Sequence, residues 1–400
     1  MGEQDTVDRI NHYVDDHGGE MIDFLKDLVQ TPSYDSQLAA VGQLCIDRMN
    51  KLGFDEARFD SMGNVLGRIG NGPRKLLFDS HIDTVGVGEL DQWKRDPFAA
   101  TQEDGVIYGL GTCDEKGSTP PMIYAMAGLK ELGLLGDWSL YYFGNMEEWC
   151  DGIAPHALVE HEGLRPDFVV IGEPTRLNIY RGHRGRVEVS VTFEGKSCHA
   201  AMPHLGDNPL YRAAPFIQGV DALHGRLPSH PFLGKGSIAV TDVTVDTPSQ
   251  CAVPSQAEVY LDRRVTTNDT AESVLEEVQS LPLADTASIQ IPEYAEASYT
   301  GFVFPVEKVF PAWELSPQHP LLQAAEADYR AMFGREPEVG KWEFSTNGIY
   351  WMGKAGIPSI GFGPGDERYA HGVEEQIPVA EVIEAARFYA ALPTFLDRQA

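Results

Sequence analysis

Side chains of the kinds that bind metal ions follow several apolar segments of this chain. His81 and Asp83 end the run that begins at Leu76, and Asp114 lies further along. Later positions of the same kind are Glu147, Glu148, Glu173 and His371. Histidines and carboxylates that follow strands in this way predict a site for two divalent ions. Such a site in turn predicts hydrolysis by a metal-activated water molecule.

The charges of these side chains balance those of two divalent ions. Asp114, Glu148 and Glu173 supply three negative charges, and a bridging hydroxide would supply the fourth. His81 and His371 would complete the two coordination shells as neutral imidazoles. Because the ligands combine imidazole and carboxylate groups, zinc is the first choice of metal, and cobalt or manganese could replace it.

Two further side chains have predicted roles beside the ligands. Glu147, next to Glu148, would be the general base that takes the proton from the bridging water. Asp83 lies two residues beyond His81 on a strand, so it shares a face with that histidine and can orient its imidazole. Each motif alone is more simply explained as a turn or a charged loop. Their joint occurrence at strand ends is what favours a shared site.

Composition narrows the classes of function and partner. The formal net charge of -29 argues against nucleic-acid binding, which needs basic patches. No apolar run approaches the ~20 residues that span a bilayer, and the acidic start has no secretory signal pattern. Five cysteines without a CxxC pair indicate a reducing compartment. We therefore expect a cytoplasmic enzyme with a small-molecule substrate and with neither nucleic acid nor membrane as a partner.

An α/β fold is predicted for most of the chain. Helical periodicity covers about residues 5–52, with a break at Thr31, and unbroken apolar strands then alternate with helices. This rhythm predicts a mixed, largely parallel sheet with helices on both faces. In such sheets ligands gather beyond the carboxyl ends of the strands, which is where His81, Glu148 and Glu173 fall.

A second, smaller unit interrupts this pattern. From Arg186 to Phe193 apolar and polar residues alternate with period two, which is typical of a half-exposed antiparallel strand. The elements that follow predict an inserted α+β domain at 184–298. The catalytic domain would then consist of a first part at 1–183 and a second part at 299–400.

The motifs and their order resemble a known family, the two-zinc metallopeptidases and deacylases of the carboxypeptidase G type, called M20. Its members include acetylornithine deacetylase, succinyl-diaminopimelate desuccinylase and the aminoacylases. The matching stretches are residues 80–85, 111–117, 147–148, 172–175 and 370–371. The resemblance implies the di-zinc peptidase fold with two bound metal ions. The implied ligands are His81 and Glu173 for one ion, Glu148 and His371 for the other, and Asp114 between them.

The inserted block resembles the lid and dimerisation domain of the same family. The resemblance implies that His199 reaches a neighbouring active site, across a homodimer, and polarises the scissile carbonyl. Arg264 matches an arginine that binds a substrate carboxylate, which suits the fork of guanidinium donors. The implied reaction is cleavage of the amide C–N bond of a small N-acyl amino acid, dipeptide or related carboxylate.

Several stretches depart from the well-known members. Cys251 stands where relatives often carry Asn, and residues 341–348 differ from their usual glycine-rich wording. Together with residues 181–186 and 361–365, these stretches resemble one branch of the family, the hydrolases named for linkage to selenium metabolism. Ser345 and Asn347, in the departing stretch, are further candidate substrate contacts.

Three alternatives remain open at this point. The basic residues between Arg181 and Arg186 could bind a second acidic group of the substrate or join an interdomain salt-bridge network. Cys113 and Cys198 flank candidate site residues and suggest a thiol nucleophile, although Cys198 and His199 are chain neighbours that point apart. A non-catalytic metal-binding or assembly protein on the same fold is the other class of function.

Overall fold

The structure has a helix for each helical segment that the sequence predicts, and it has one further long helix. The computed structural model describes residues 2–35, 37–146 and 152–398. Its helices are α1 Glu3–Val29, α2 Ala39–Lys51, α3 Thr119–Glu131, α4 Ile153–Glu160, α5 Leu210–Arg226, α6 Ala271–Gln279, α7 Pro320–Phe333 and α8 Val379–Leu396, with a π-helix at Ile349–Lys354. The predicted break at Thr31 is present. Helix α8 has no counterpart among the predicted elements, because it packs against α1, α3 and α7 and is apolar on most sides, without a single stripe.

The main sheet has a parallel centre and mostly antiparallel flanks. In spatial order its strands are β1 Glu56–Phe59, β2 Val65–Ile69, β6 Trp138–Asn145, β3 Arg74–His81, β7 Phe168–Ile171, β20 Ser359–Gly361, β8 Ile179–His183 and β18 Trp313–Glu314, with β19 Val339–Trp342 also beside β8. The neighbours β6, β3, β7 and β20 run parallel, and the flanking pair of β19 with β8 is parallel as well. The four central strands are buried along nearly their whole length, as strands covered on both faces are. The predicted α/β class with a mixed sheet is confirmed.

A smaller antiparallel sheet has its own core. Its strands are, in order, β12 Ser237–Asp246, β13 Gln256–Val265, β9 Gly185–Glu194 and β14 Ser288–Gln290, with β17 Val309–Phe310 also beside β9. The apolar residues of β9 and β13 alternate and pack against α5 and α6. The period-two pattern of β9 therefore comes from an antiparallel strand with one face packed against helices. The domain boundaries at 184 and 298 stay a prediction, and β17 lies beyond the second of them.

A third sheet connects distant parts of the chain. Its strands are β4 Thr101–Glu103, β5 Val106–Tyr108 and β21 Gln376–Pro378, and β21 pairs with β5. This pairing brings the segment before Asp114 next to the segment after His371. Two short pairs complete the strands, β10 Ser229–His230 with β11 Gly234–Lys235 and β15 Glu293–Tyr294 with β16 Val306–Glu307. Among the described helices, none has both the length and the apolar character needed to cross a membrane.

Candidate active site

The parallel centre of the main sheet brings predicted ligands to one edge. Strands β6, β3 and β7 run in the same direction, so their carboxyl ends meet at the same side. His81 is the last residue of β3, and Glu173 comes two residues after the end of β7. Glu147 and Glu148, the predicted general base and one predicted ligand, lie outside the described residues.

Four predicted ligands lie together. His81, Asp114 and Glu173 are buried, and one ligand atom from each lies within 4.8 Å of the others. Asp114 Oδ1 is 2.9 Å from His81 Nε2, whereas Asp114 Oδ2 is 3.2 Å from His371 Nε2. Glu173 Oε1 is 3.8 Å from His81 Nε2. Each oxygen of Asp114 thus faces a different histidine, and this arrangement suits a carboxylate that bridges two cations.

The electrostatics of the cluster favour positive charge. Burial alone would raise the pKa of Asp114, but hydrogen bonds with His371 and His81 hold that pKa below its usual value. Burial likewise opposes a charged His81, yet Asp114 and Asp83 raise the pKa of its imidazole well above the usual value. Imidazole nitrogens and carboxylate oxygens that attract positive charge in this way are a donor set that fits divalent metal ions.

Asp83 lies beside His81. Nδ1 of His81 lies 3.0 Å from the backbone oxygen of Asp83 and 3.4 Å from its Oδ1. With the proton on Nδ1 donated to Asp83, the lone pair of Nε2 would be available to bind a metal ion. The contact to the backbone oxygen is the shorter of the two. The role of the Asp83 carboxylate in catalysis stays a prediction.

Glu375 is an acidic residue that the sequence analysis missed. It is 1% exposed, and its carboxyl oxygens accept hydrogen bonds from the backbone N–H groups of Gly111, Cys113 and Asp114 at 2.9, 2.9 and 3.0 Å. Burial and the nearby charge of Asp114 raise the pKa of Glu375 to about 8, against the effect of the N–H donors. Its position four residues after His371 was the available signal.

Two residues of the predicted 111–117 motif have contacts that the sequence analysis did not anticipate. Oε1 of Glu115 accepts a hydrogen bond from the backbone N–H of His81 at 3.1 Å. Nζ of Lys116 donates to the carbonyl oxygens of Leu28 and Thr31, both at 3.0 Å. Burial lowers the pKa of Lys116 to about 8. These contacts fasten the loop that carries Asp114 to β3 and to the end of α1.

Two of the three predicted substrate contacts are neighbours. Arg264, on β13, donates to both carboxylate oxygens of Asp262 at 2.8 and 3.1 Å, and its Nη1 is 3.3 Å from Ser345 Oγ. Ser345 lies on the loop that follows β19 of the main sheet. The pair therefore connects the two sheets. Its role in binding a substrate stays a prediction.

The third predicted contact, Asn347, lies in a buried polar network. Its Nδ2 donates to Asp79 Oδ1 at 3.2 Å and to Asn145 Oδ1 at 2.9 Å, and Trp351 also donates to Asp79. Burial raises the pKa of Asp79 to about 6. Oδ1 of Asn347 has no hydrogen-bond partner in the part of the chain that the structure describes. A substrate contact of Asn347 stays a prediction.

His199 lies on an exposed loop of the smaller sheet region. Its Nδ1 accepts a hydrogen bond from the backbone N–H of Ala201 at 3.0 Å, and the residue pairs with Ala252 in a short bridge. Both contacts are with residues of the same region, and neither involves a residue of the metal-ligand cluster. Its predicted action on a neighbouring active site stays a prediction.

The basic residues between Arg181 and Arg186 are occupied by acidic and carbonyl partners. Arg181 Nη1 donates to the backbone oxygen of Leu315 at 2.7 Å, Arg184 Nη2 lies 3.2 Å from Glu343 Oε2, and Arg186 Nε lies 2.9 Å from Glu188 Oε1. Of the two interpretations of this segment, the salt-bridge network is favoured.

The cysteines beside the site contact backbone oxygens, and neither is hydrogen-bonded to a histidine among the described residues. Cys113 is buried with its Sγ 3.1 Å from the backbone oxygen of Asp366, and burial raises the pKa of its thiol well above the usual value. Cys198 Sγ lies 3.4 Å from the backbone oxygen of Met202. These observations argue against thiol-based hydrolysis.

Comparison with known proteins gives one consistent result. The profile of "Peptidase family M20/M25/M40" matches residues 77–394. Escherichia coli strain K12 has a protein, YgeY, described as uncharacterized, that is 40% identical over 381 residues, covering 94% of both chains. A succinyl-diaminopimelate desuccinylase of Magnetococcus marinus is 27% identical over 378 residues, covering 91% of this chain and 95% of its own. The crystal structure of the Bacillus subtilis YXEP protein, described as a dinuclear metal-binding peptidase of the M20 family, superposes with a TM-score of 0.71 at 14% identity, covering 96% of this chain and all of that one.

Proposed function

The chain belongs to peptidase family M20/M25/M40, and we propose that it hydrolyses the amide bond of a small N-acyl amino acid, dipeptide or related carboxylate. Membership of the family makes the chain a metal-dependent amidohydrolase or peptidase. The observation that carries the finer proposal is the position of Asp114, whose two oxygens face His81 and His371 separately. The names of the desuccinylase and of the dinuclear peptidase agree with this chemistry.

Two divalent ions are the proposed cofactor, with zinc as the first choice. His81 and Glu173 would hold one ion, His371 and Glu148 the other, and Asp114 both. When bound, the ions supply Lewis acidity that activates water near neutral pH and polarises an amide carbonyl. The support in this chain is the buried group of mixed nitrogen and oxygen donors at the carboxyl edge of the main sheet.

The chain's own groups would move the proton and hold the substrate. Glu147 would take a proton from water and pass it to the leaving amine. Asp83 would keep the proton of His81 on Nδ1, which supports the donor role of Nε2. Arg264 would bind the substrate carboxylate, with Ser345 beside it. His199, supplied by the partner of a homodimer, would stabilise the charge that develops on the carbonyl oxygen.

The proposed setting is the cytoplasm. The observation behind it is the cysteine pattern, since the five cysteines include no CxxC pair and the cysteines that the structure describes are free thiols. The first substrate set is a panel of N-acyl amino acids and dipeptides, which covers the proposed class of substrate.

The test of the proposed function is Glu147→Gln in the zinc-loaded protein. We expect the wild type to hydrolyse at least one member of the panel and the variant to lose about 100-fold or more in kcat while it keeps its metal. Glu89→Gln, the same substitution at an exposed glutamate, is the control and should retain full activity. Full activity of Glu147→Gln would refute the assignment of the base. Metal binding without hydrolysis of any amide by the wild type would favour the non-catalytic class.

A further inference from the structure

The segment after His371 runs along the segment before Asp114. Strand β21 pairs with β5, and Gln376 lies opposite Tyr108. The backbone N–H of Gly109 then donates to the backbone oxygen of Glu375 at 3.1 Å. These two segments carry the histidine and the aspartate that meet at 3.2 Å, although they lie more than two hundred residues apart in the sequence. Their pairing is therefore what can fix the separation of these two side chains.

The side chain of Glu375 extends this pairing to the turn that carries the aspartate. Oε2 accepts from the N–H of Gly111 at 2.9 Å, while Oε1 accepts from the N–H groups of Cys113 and Asp114 at 2.9 and 3.0 Å. One carboxyl group thus satisfies three backbone donors in a region without solvent access. Without it these three N–H groups would be buried and unsatisfied, and the turn would have to rearrange.

A second buried group stabilises the same arrangement. Lys116, two residues beyond Asp114, is 1% exposed, and its ammonium group interacts electrostatically with the carboxyl of Glu375. Its Nζ is held by the carbonyl oxygens of Leu28 and Thr31 at the end of α1. The carboxyl of Glu375 thus binds three N–H groups of a turn that Lys116 fastens to the end of α1, which leaves the turn little freedom to move.

We propose that Glu375 is a positioning residue that fixes Asp114 relative to His371 and thereby sets the affinity of the ion these two residues share. The inference rests on the proposed function and deepens it, because it concerns how the same site holds its metal. Glu375 makes no contact with a predicted substrate group in the described part of the chain. Its effect would pass through the backbone of the 111–114 turn.

The first test compares Glu375→Gln with Glu374→Gln. Both variants exchange a glutamate for its neutral isostere, but the Glu374 side chain is 49% exposed and pairs with Lys94 on the surface. In Glu375→Gln an amide NH2 group would replace one acceptor, so at least one backbone N–H loses its partner. We expect a competition titration with a chromogenic chelator to show zinc binding about 10- to 100-fold weaker for one of the two ions. Glu374→Gln should match the wild type.

A spectroscopic reading separates positioning from a general loss of stability. With Co²⁺ in place of zinc, the visible absorption bands report the geometry of the ligands. We expect Glu375→Gln to shift or weaken these bands at saturating Co²⁺, and Glu374→Gln to leave them unchanged. Wild-type zinc affinity together with an unchanged Co²⁺ spectrum in Glu375→Gln would overturn the proposal.

A measurement without any metal keeps the inference independent of the proposed function. Hydrogen–deuterium exchange in the wild type should show slow exchange for the amides of Gly111, Cys113 and Asp114, since all three are buried and bonded to one carboxyl group. In Glu375→Gln the peptide that covers them should exchange at least about 10-fold faster, with little change elsewhere. Exchange of these wild-type amides at the rate of an unprotected loop would overturn the proposal even if the variant failed to fold. A wild type that holds no metal, by contrast, would refute the proposed function and leave this test in force.

Discussion

Acidification should destabilise the protein through one buried histidine, His183, at the end of strand β8. Its Nε2 accepts hydrogen bonds from Trp313 Nε1 at 2.8 Å and from the backbone N–H of Thr346 at 3.0 Å. Both of these groups are donors only, so the proton of the neutral ring must be on Nδ1, which donates to the backbone oxygen of Arg184 at 2.8 Å. A second proton on Nε2 would break both bonds and leave the hydroxyl of Thr346, 3.0 Å away, as the acceptor for that nitrogen.

The size of the effect follows from the pKa of His183. Burial lowers this pKa from 6.5 to about 4. Because the folded-state pKa is below the unfolded one, the histidine contributes stability above pH 6.5, and this stability is lost as the pH falls toward 4. At about 1.4 kcal/mol per pKa unit, the full loss is about 3 kcal/mol, of which about 2 kcal/mol is lost by pH 5.

The assay is urea unfolding at several pH values between 7.5 and 4.5 for the wild type and for His183→Gln. The variant should be less stable at pH 7.5, because its hydrogen bonds are imperfect, yet its stability should fall less on acidification, by about 2 kcal/mol at pH 5. His12→Gln, the same substitution at an exposed position of α1, is the control and should follow the wild type. Parallel curves for the wild type and His183→Gln would refute the reasoning.

Three further predictions concern other side chains. Asp328 is fully buried, its oxygens have no hydrogen-bond partner among the described residues, and burial raises its pKa well above the usual value. Because a raised carboxyl pKa removes stability as the pH rises, Asp328→Asn should raise the thermal unfolding midpoint more at pH 8 than at pH 4, and an equal effect at both would contradict this. Asp114→Asn should weaken zinc binding in a chelator competition by more than about 100-fold, and retention of both ions at wild-type affinity would rule out its bridging role. Arg264→Lys should raise KM for a carboxylate substrate about 10-fold at nearly constant kcat, because an ammonium group cannot replace the guanidinium fork; an unchanged KM would exclude the carboxylate contact.

Much of the fold could be predicted because it depends on local pattern. The apolar run ending at His81 is a buried strand, and the predicted break at Thr31 separates helices α1 and α2. The alternation of β9 was equally direct, since one of its faces packs on helices. Helix α8 was harder, because a helix that is buried on most sides has no polar face to mark its period.

The site residues also fall into those that a local sequence pattern reveals and those that it does not. His81 and Glu173 are recognisable because they lie at strand ends that the parallel sheet brings to one edge, and Asp114 is recognisable because it lies in a short motif. Glu375 could not be predicted to support the turn, since its partners precede it by more than 260 positions in the sequence. Asn347 shows the limit for substrate contacts, because its burial beside Asp79 depends on packing that no local pattern reports.

The most direct test of the central claim is the metal content per chain. The protein would be purified without chelator, equilibrated with zinc, freed of loosely held ions and measured by elemental analysis. The bridging position of Asp114 between His81 and His371 predicts about two tightly held ions per chain. Protein that retains no metal after this treatment would contradict the account of the site.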